Sequence, residues 1–288
     1  MVDYKHAPFY DDRTIKWKAG PLVFQQKSST HKLESNMHSV VYKLYEKILW
    51  RQIKNGPRPH HIGVILDGNR RFAKGKGMEA TDGHLFGAKK VEELLRWCWR
   101  LNIKIVTLYA FSTENFDRSD KEISAIMDLL KKKLHDFQNE PLVHKNRVRI
   151  KVIGRLEYLS QEINDEIQKV EDMTKDYDGF HLNIAVSYGG RAEIVDAVKK
   201  IACKIEKKEL AIDDITEETI AQNLYTEGMP DPDLIIRTSG EERLSGFLLW
   251  QSAYSELYFT EIYWPAFRII DFWRTIRIYQ QRERRFGK

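Results

Sequence analysis

At 288 residues, 42% hydrophobic and 31% charged, the chain is long enough for one sizeable α/β domain and has the balance of a globular protein. No apolar run approaches the roughly 18–20 residues of a membrane span, and the polar first residues hold no signal-peptide core, so a cytoplasmic protein is expected. A formal charge of +5 admits an anionic partner without requiring nucleic acid, and no RNA-recognition or helix-turn-helix pattern accompanies the late arginines.

Residues 1 to about 38 show no sustained periodicity and read as an arm. Over 39–54, Val41, Leu44, Tyr45, Ile48 and Leu49 recur at helical spacing, and Asn55-Gly56-Pro57 ends that helix. Its basic, aromatic surface suits docking on the protein's own core or resting on a membrane interface. Residues 1–56 are thus expected to form an arm with an amphipathic helix, and 57–288 the main domain.

Ile62 to Leu66 reads as a buried strand, stopped by Asp67-Gly68-Asn69-Arg70-Arg71. In the blandest reading Asp67 merely caps the next helix. A helix follows through Val91, Leu94, Leu95, Cys98 and Leu101, ended by Asn102, and Ile103 to Ala110 forms a second strand. After the polar cluster Phe111 to Arg118, Ser119 and Glu122 fit a capping box opening a helix with Ile123, Ile126, Met127, Leu130 and Leu134 on one side. Strands are expected at Val148–Ile153, Phe180–Ser187, Leu234–Ile236 and around Leu257–Phe259, with helices at 160–175, through Ile194, Val195, Val198 and Ile201 after the turn Tyr188-Gly189-Gly190, and at 216–224 and 271–284. Asp213 and Asp214 read as caps of the 216–224 helix. Cys98 and Cys203, far apart in helical stretches, read as reduced thiols. The alternation specifies an α/β single domain with a mainly parallel six-stranded sheet flanked by helices, preceded by the N-terminal arm.

Loops after parallel strands gather on one edge of such a sheet, where ligands bind. Three of them carry matching chemistry: Asp67, Asn69, Arg70 and Arg71; then Ser112, Glu114, Asn115 and Arg118; then Arg237, Ser239, Arg243 and Ser245. One acid among arginines and hydroxyls suits phosphorylated groups and a divalent ion. The apolar helix faces behind these loops would serve as core, or as a channel for a hydrocarbon chain.

Five ordered segments resemble the cis-prenyltransferases, the undecaprenyl diphosphate synthase family. They are Asp67 to Ala73, Thr107 to Phe116, Arg237 to Ser245, Trp250 to Phe259 and Arg282 to Gly287. The resemblance runs from about residue 40 to the end and is nearest the archaeal branch.

It implies the cis-prenyltransferase fold and a homodimer that adds isopentenyl diphosphate to an allylic prenyl diphosphate, creating Z double bonds. It also implies Mg²⁺ held by Asp67, with Glu256 as candidate second ligand. Gly68, Asn69, Arg70, Arg71 and His84 would cradle the allylic diphosphate. Arg237, Arg243 and Ser245 would bind isopentenyl diphosphate, helped by Arg285 and Gly287 of the partner subunit. Ser112, Asn115 and Arg118 would orient the reacting ends, with Asn115 positioning the departing proton. Phe72, Thr113, Glu114, Phe116 and Leu244 complete the implied substrate contacts. A peripheral membrane contact for product release is a further expectation.

Two positions depart from the family pattern. Ala80 stands where an arginine is usual, and Gly246 where Asn or Asp follows Arg-x-Ser. Both flank diphosphate sites, so irregular coupling of two allylic diphosphates, such as dimethylallyl diphosphate, remains an alternative. Two others are a non-catalytic partner subunit of a prenyltransferase complex, and a membrane or nucleic-acid binding module using the basic tail.

Overall fold

His61–Ile65 forms β1, every residue of it buried, and the rest of the domain is laid out around it. The computed structural model describes residues 30–282, with side chains from 41 onward. In chain order the elements are α1 (Thr30–Ile53), β1, α2 (Asn69–Gly75), α3 (Ala80–Leu101), β2 (Ile105–Ser112), α4 (Asp120–Asn139), α5 (Pro141–Lys145) and β3 (Val148–Ile153). There follow α6 (Gln161–Thr174), β4 (Phe180–Tyr188), α7 (Gly190–Glu206), α8 (Glu217–Ala221), β5 (Leu234–Arg237), β6 (Glu256–Phe259) and α9 (Ile269–Gln281).

The six strands form one sheet in the order β3-β4-β2-β1-β5-β6, and all its pairings are parallel. From β1 the chain moves to one side, through β2, and later reaches the other side at β5. The loops leaving β1 and β5 therefore part at a topological switch point, where open sheets leave a crevice. Slips of register between Tyr109, Phe111 and Ser112 disturb the end of β2 and leave Ala110 exposed while its neighbours are buried.

The chain divides after Leu44, earlier than the expected boundary at residue 56. In the first unit, Val41 and Leu44 are exposed. In the second, the end of α1 docks on the core: Leu49 and Ile53 are buried, and Trp50 lies 5.2 Å from Trp273. Arg100 stacks over Trp50 at 4.0 Å. Among the described residues no helix is long and apolar enough to cross a membrane.

Local chemistry explains most element ends. Asn102, at φ 57°, closes α3 in the left-handed region that Asn tolerates. The expected capping by Asp213 and Asp214 does not occur: Ile212–Asp214 is a separate 3₁₀ turn, and Thr216 caps α8 through the Thr219 N–H at 3.2 Å. Cys98 is buried and Cys203 exposed, both as free thiols.

Beneath the sheet's buried face, His61 accepts from the Thr107 hydroxyl and donates through Nδ1 to the Pro230 carbonyl, both at 2.7 Å. That tautomer is neutral, and burial lowers its pKa from 6.5 to about 4, against the smaller pull of Pro230 and Asp233. The unfolded chain therefore takes up a proton near pH 6.5 that the folded chain refuses until about pH 4. Stability should fall as pH drops through that window, by up to roughly 3 kcal/mol. Urea unfolding between pH 7 and 4 measures the slope, and His61→Gln should flatten it.

Candidate active site

Asp67 leaves β1 at its carboxyl end, and Gly68 turns the chain into α2 at φ 103°. A Cβ on Gly68 would come within 2.9 Å of Ser239 and Tyr263, so conformation and space both call for glycine here. Gly68 is the cap of α2, which corrects the capping reading of Asp67. The Asp67 carbonyl instead accepts from the Thr238 hydroxyl at 2.7 Å and the Trp264 N–H at 2.9 Å.

Its carboxylate is thereby free to face two arginines. Oδ2 accepts from Arg237 at 2.9 Å and Oδ1 from Arg71 at 3.2 Å. Partial burial pulls the Asp67 pKa upward, but the hydrogen bonds and charges of Arg237 and Arg71 win, and the carboxyl titrates below its ordinary range. Arg71 also donates to the Ser239 hydroxyl and, at 3.3 Å, to Glu241.

Arg237, the last residue of β5 and only 4% exposed, spreads its fork over Asp67, the Ser245 hydroxyl at 2.8 Å and the Arg243 carbonyl. Its Nε is buried without a partner. Arg243 pairs with Glu241 and remains largely in solvent, while Leu244 packs on the core cluster. Ser239 (φ 80°), Ser245 (φ 49°) and Leu248 (φ 44°) all hold left-handed backbone. Gly246 also has a positive φ, 79°, and its carbonyl accepts from Gly190 N at 2.8 Å. The position demands a left-handed residue, and glycine adopts that conformation as readily as Asn or Asp.

The second loop folds as a 3₁₀ turn, Thr113–Asp117. The Asn115 side-chain oxygen accepts from the Ser112 N–H at 3.2 Å, which leaves its NH₂ as the group available to a ligand. Phe116 stands edge-on to Phe111 at 5.0 Å, Thr113 lies against Gly189, and Glu114 is exposed at the rim.

Glu122 is the residue that the sequence reading misplaced. It does not close a capping box with Ser119. Its carboxylate, 7% exposed, meets His84 at 3.1 Å, Arg118 at 3.0 Å and Arg70 at 3.6 Å. Burial raises its pKa, yet His84, Arg118 and Arg70 together bring the net value below the usual carboxylate range. Burial lowers the His84 pKa by more than Glu122 restores, so the imidazole is neutral near pH 7, with Nε2–H donating to the acceptor-only carboxylate. The only sequence signal for this role was the i, i+4 spacing of Arg118 and Glu122, which is also ordinary helix chemistry.

These groups surround a polar cleft of about 500 Å³, lined by Asp67, Gly68, Asn69, Arg70, Arg71, Lys74, Met78, Ala80, His84 and Arg118. Phe72 stands outside that lining, edge-on to Phe86. Behind the cleft, between α3 and α4, lies an apolar cavity of about 130 Å³. Ala110, Ile126 and Leu130 line it as expected of a channel, whereas Leu94, Leu95 and Leu134 are core. Leu66, Asn69 and His84 border both spaces. Gly83 and Gly87 let α3 lie directly on Asn69, whose backbone or amide any Cβ there would strike. The Asn69 amide donates to the Leu66 carbonyl at 3.2 Å, and its Oδ1 is buried without a partner.

Among the described residues no three His, Cys, Asp or Glu side chains group closely enough to hold a metal alone. Of the described residues, Asp67 is the sole carboxylate lining the cleft, which fits Mg²⁺, an ion that uses one or two carboxylates with substrate phosphates and water. Glu256 does not join it within one chain. It begins β6 in register with Leu234 and hence Ile62, roughly 15 Å back along the strand direction from Asp67. There it pairs with Arg282 at 2.6 Å. The expected contributions of Arg285 and Gly287 lie outside the described residues.

The family model for undecaprenyl diphosphate synthase, Prenyltransf, matches residues 65–287. A tritrans,polycis-undecaprenyl-diphosphate synthase (geranylgeranyl-diphosphate specific) of Methanocaldococcus jannaschii is 51% identical over 253 residues, 87% of this chain and 90% of its own. An isoprenyl transferase of Thermus thermophilus is 50% identical, over 86% of this chain and 96% of its own. Among solved structures, lavandulyl diphosphate synthase from Lavandula x intermedia, in complex with dimethylallyl diphosphate, superposes with a TM-score of 0.77. It has 36% identity, over 80% of this chain and 99% of that one.

Proposed function

The chain belongs to the undecaprenyl diphosphate synthase family of prenyltransferases, and from that premise we propose that it adds isopentenyl diphosphate units to an allylic prenyl diphosphate, giving a Z-configured polyprenyl diphosphate. The observation that carries this reading is a cationic cleft sharing a wall with an apolar cavity, the two halves of a prenyl diphosphate site.

In this proposal Arg70, Arg71, Lys74, Arg118 and the α2 backbone receive the allylic diphosphate, and the hydrocarbon enters past Asn69 and His84. Arg237, Arg243 and Ser245 hold the acceptor diphosphate against the first. Mg²⁺, when bound through Asp67, would supply charge stabilisation for the departing diphosphate. The guanidinium groups share that task by being fixed before charge develops. Loss of the diphosphate makes the allylic carbon electron-poor, and the alkene of isopentenyl diphosphate attacks it. The proton then leaves to a diphosphate oxygen. Asn115, a neutral amide whose oxygen is already engaged, positions rather than takes it.

Relatives near 50% identity bear polycis-undecaprenyl and isoprenyl transferase names, against 36% for the lavandulyl enzyme. Regular elongation is accordingly favoured over irregular coupling, and the left-handed role of Gly246 removes one reason for the latter.

Incubating the purified chain with labelled isopentenyl diphosphate and geranylgeranyl diphosphate should give butanol-extractable label. Chelation should abolish it and Mg²⁺ restore it. Label unaffected by chelation would refute the metal, and no label with any allylic primer would refute the transfer.

A homodimer, cytoplasmic and touching a membrane only to release its apolar product, completes the proposal. Deleting Phe286 to Lys288 should then raise the isopentenyl diphosphate requirement, measured as KM. Unchanged kinetics would remove the argument for a shared site.

A further inference from the structure

The turn that carries Ser245 is tied from behind to a residue of another strand. Tyr109 lies buried in β2, in register with Ile65 of β1 and Ala185 of β4. Its ring stacks on Phe247 at 4.8 Å and stands edge-on to Tyr188 at 5.8 Å. Its hydroxyl is 3.2 Å from two carbonyl oxygens, those of Tyr188 and Ser245, so one hydrogen serves two acceptors. Burial pushes the phenol well above its ordinary pKa, and it keeps the proton that it donates. Ser112, on the loop after β2, is a further polar neighbour of the same hydroxyl.

The two carbonyls differ in how firmly they are held. Tyr188 is the fully buried last residue of β4, and its own hydroxyl is bonded to the buried Glu193. Ser245 is exposed, in a turn with left-handed backbone at both 245 and 246. Packing alone does not call for the Tyr109 hydroxyl. A phenylalanine ring would stack on Phe247 equally well, and a buried hydroxyl is costly unless it is bonded. What the hydroxyl adds is a tie between the rigid sheet and the turn. Gly246 has no side chain with which to make such a tie, and a Cβ there would stand 4.0 Å from the Tyr109 hydroxyl.

We propose that Tyr109 is a positioning residue for the acceptor diphosphate. By holding the Ser245 carbonyl, its hydroxyl fixes the turn that presents the Ser245 side chain to Arg237, 2.8 Å away. The inference rests on the prenyl-transfer reading and adds to it a residue that lines neither the cleft nor the apolar cavity. Without the tie the turn samples other arrangements, and isopentenyl diphosphate binds only the fraction that is correctly placed. Once bound, the diphosphate itself holds the turn, so the chemical step at saturation is unaffected.

Tyr109→Phe deletes the hydroxyl alone, and steady-state kinetics with geranylgeranyl and isopentenyl diphosphate varied in turn are the test. The KM for isopentenyl diphosphate should rise about five- to tenfold, the scale of one lost hydrogen bond. The kcat and the KM for the allylic primer should stay within about twofold. In a Ser245→Ala background the same change should cost less than it does alone, because the hydroxyl that the turn presents is already gone. An unchanged KM for isopentenyl diphosphate, or equal rises in both KM values, overturns the proposal. So does a fall in kcat with both KM values kept, which would place the effect at Ser112, and so do losses that simply multiply with Ser245→Ala. Urea melts accompany every variant, and a Tyr109→Phe chain that does not fold makes the hydroxyl structural and overturns the proposal too. All of these leave the transfer reading standing. No transfer by the unaltered chain overturns that reading, and the role of Tyr109 falls with it.

Discussion

Asp67→Ala should reduce prenyl transfer by on the order of 10³-fold, the scale of losing one preorganised charge-stabilising group at a reacting centre. Among the described residues Asp67 is the sole acid lining the cleft, so none of them takes over its role. The same change strips the counter-ion from Arg237, whose side chain is 5% exposed. Breaking a buried pair costs roughly 3–5 kcal/mol, and the 28% exposure of Asp67 puts the expected loss at the lower end. Stability and catalysis must therefore be separated. Asp67→Asn keeps an oxygen for Arg237 and removes the charge, so it should retain most of the stability and none of the turnover. Steady-state rates beside urea melts of both variants make the check. Turnover by Asp67→Asn within tenfold of the unaltered chain would end the role given to the carboxylate.

The second large effect is expected at Arg237. Arg237→Lys should lower kcat/KM for isopentenyl diphosphate by about 10²-fold, near 3 kcal/mol in transition-state stabilisation. The guanidinium serves Asp67, Ser245 and the Arg243 carbonyl in one plane. An ammonium is a point charge and cannot span all three, so the exchange is not conservative. The KM for the allylic primer should change less, since Arg237 is not among the residues lining its cleft. Equal rises in both KM values would indicate a general collapse of the loop.

The order of strands and helices was legible because each strand is a short apolar run and each loop has its own turn chemistry. β3 and α3 follow the residues from which they were expected. Misreadings came where one residue type serves two purposes. Glu122 stands at the third position of a helix behind a serine, the pattern of a capping box, and nothing local distinguishes that from an acid turned toward His84 and two arginines. Asp213 and Asp214 precede a helix too, but the chain makes an extra turn and Thr216 takes the cap. Glu256 stands apart from Asp67 within one chain for another reason. A motif gives position along the chain, while reaching Asp67 depends on which end of β6 the residue occupies. The cleft's arginines could be named from the sequence. That Leu66, Asn69 and His84 divide it from an apolar cavity could not, because that depends on how closely α3 approaches α2 at Gly83 and Gly87.

The left-handed serines beside the cleft bear on the protein's heat tolerance. Ser239 and Ser245 sit where an L-residue is disfavoured by roughly 1–2 kcal/mol, and each offers the hydroxyl that an arginine of the site uses. Glycine at either position would relax the backbone and delete that hydroxyl in one change. Laboratory selection for survival at high temperature would thus drift toward glycine there, and selection for turnover would drive it back.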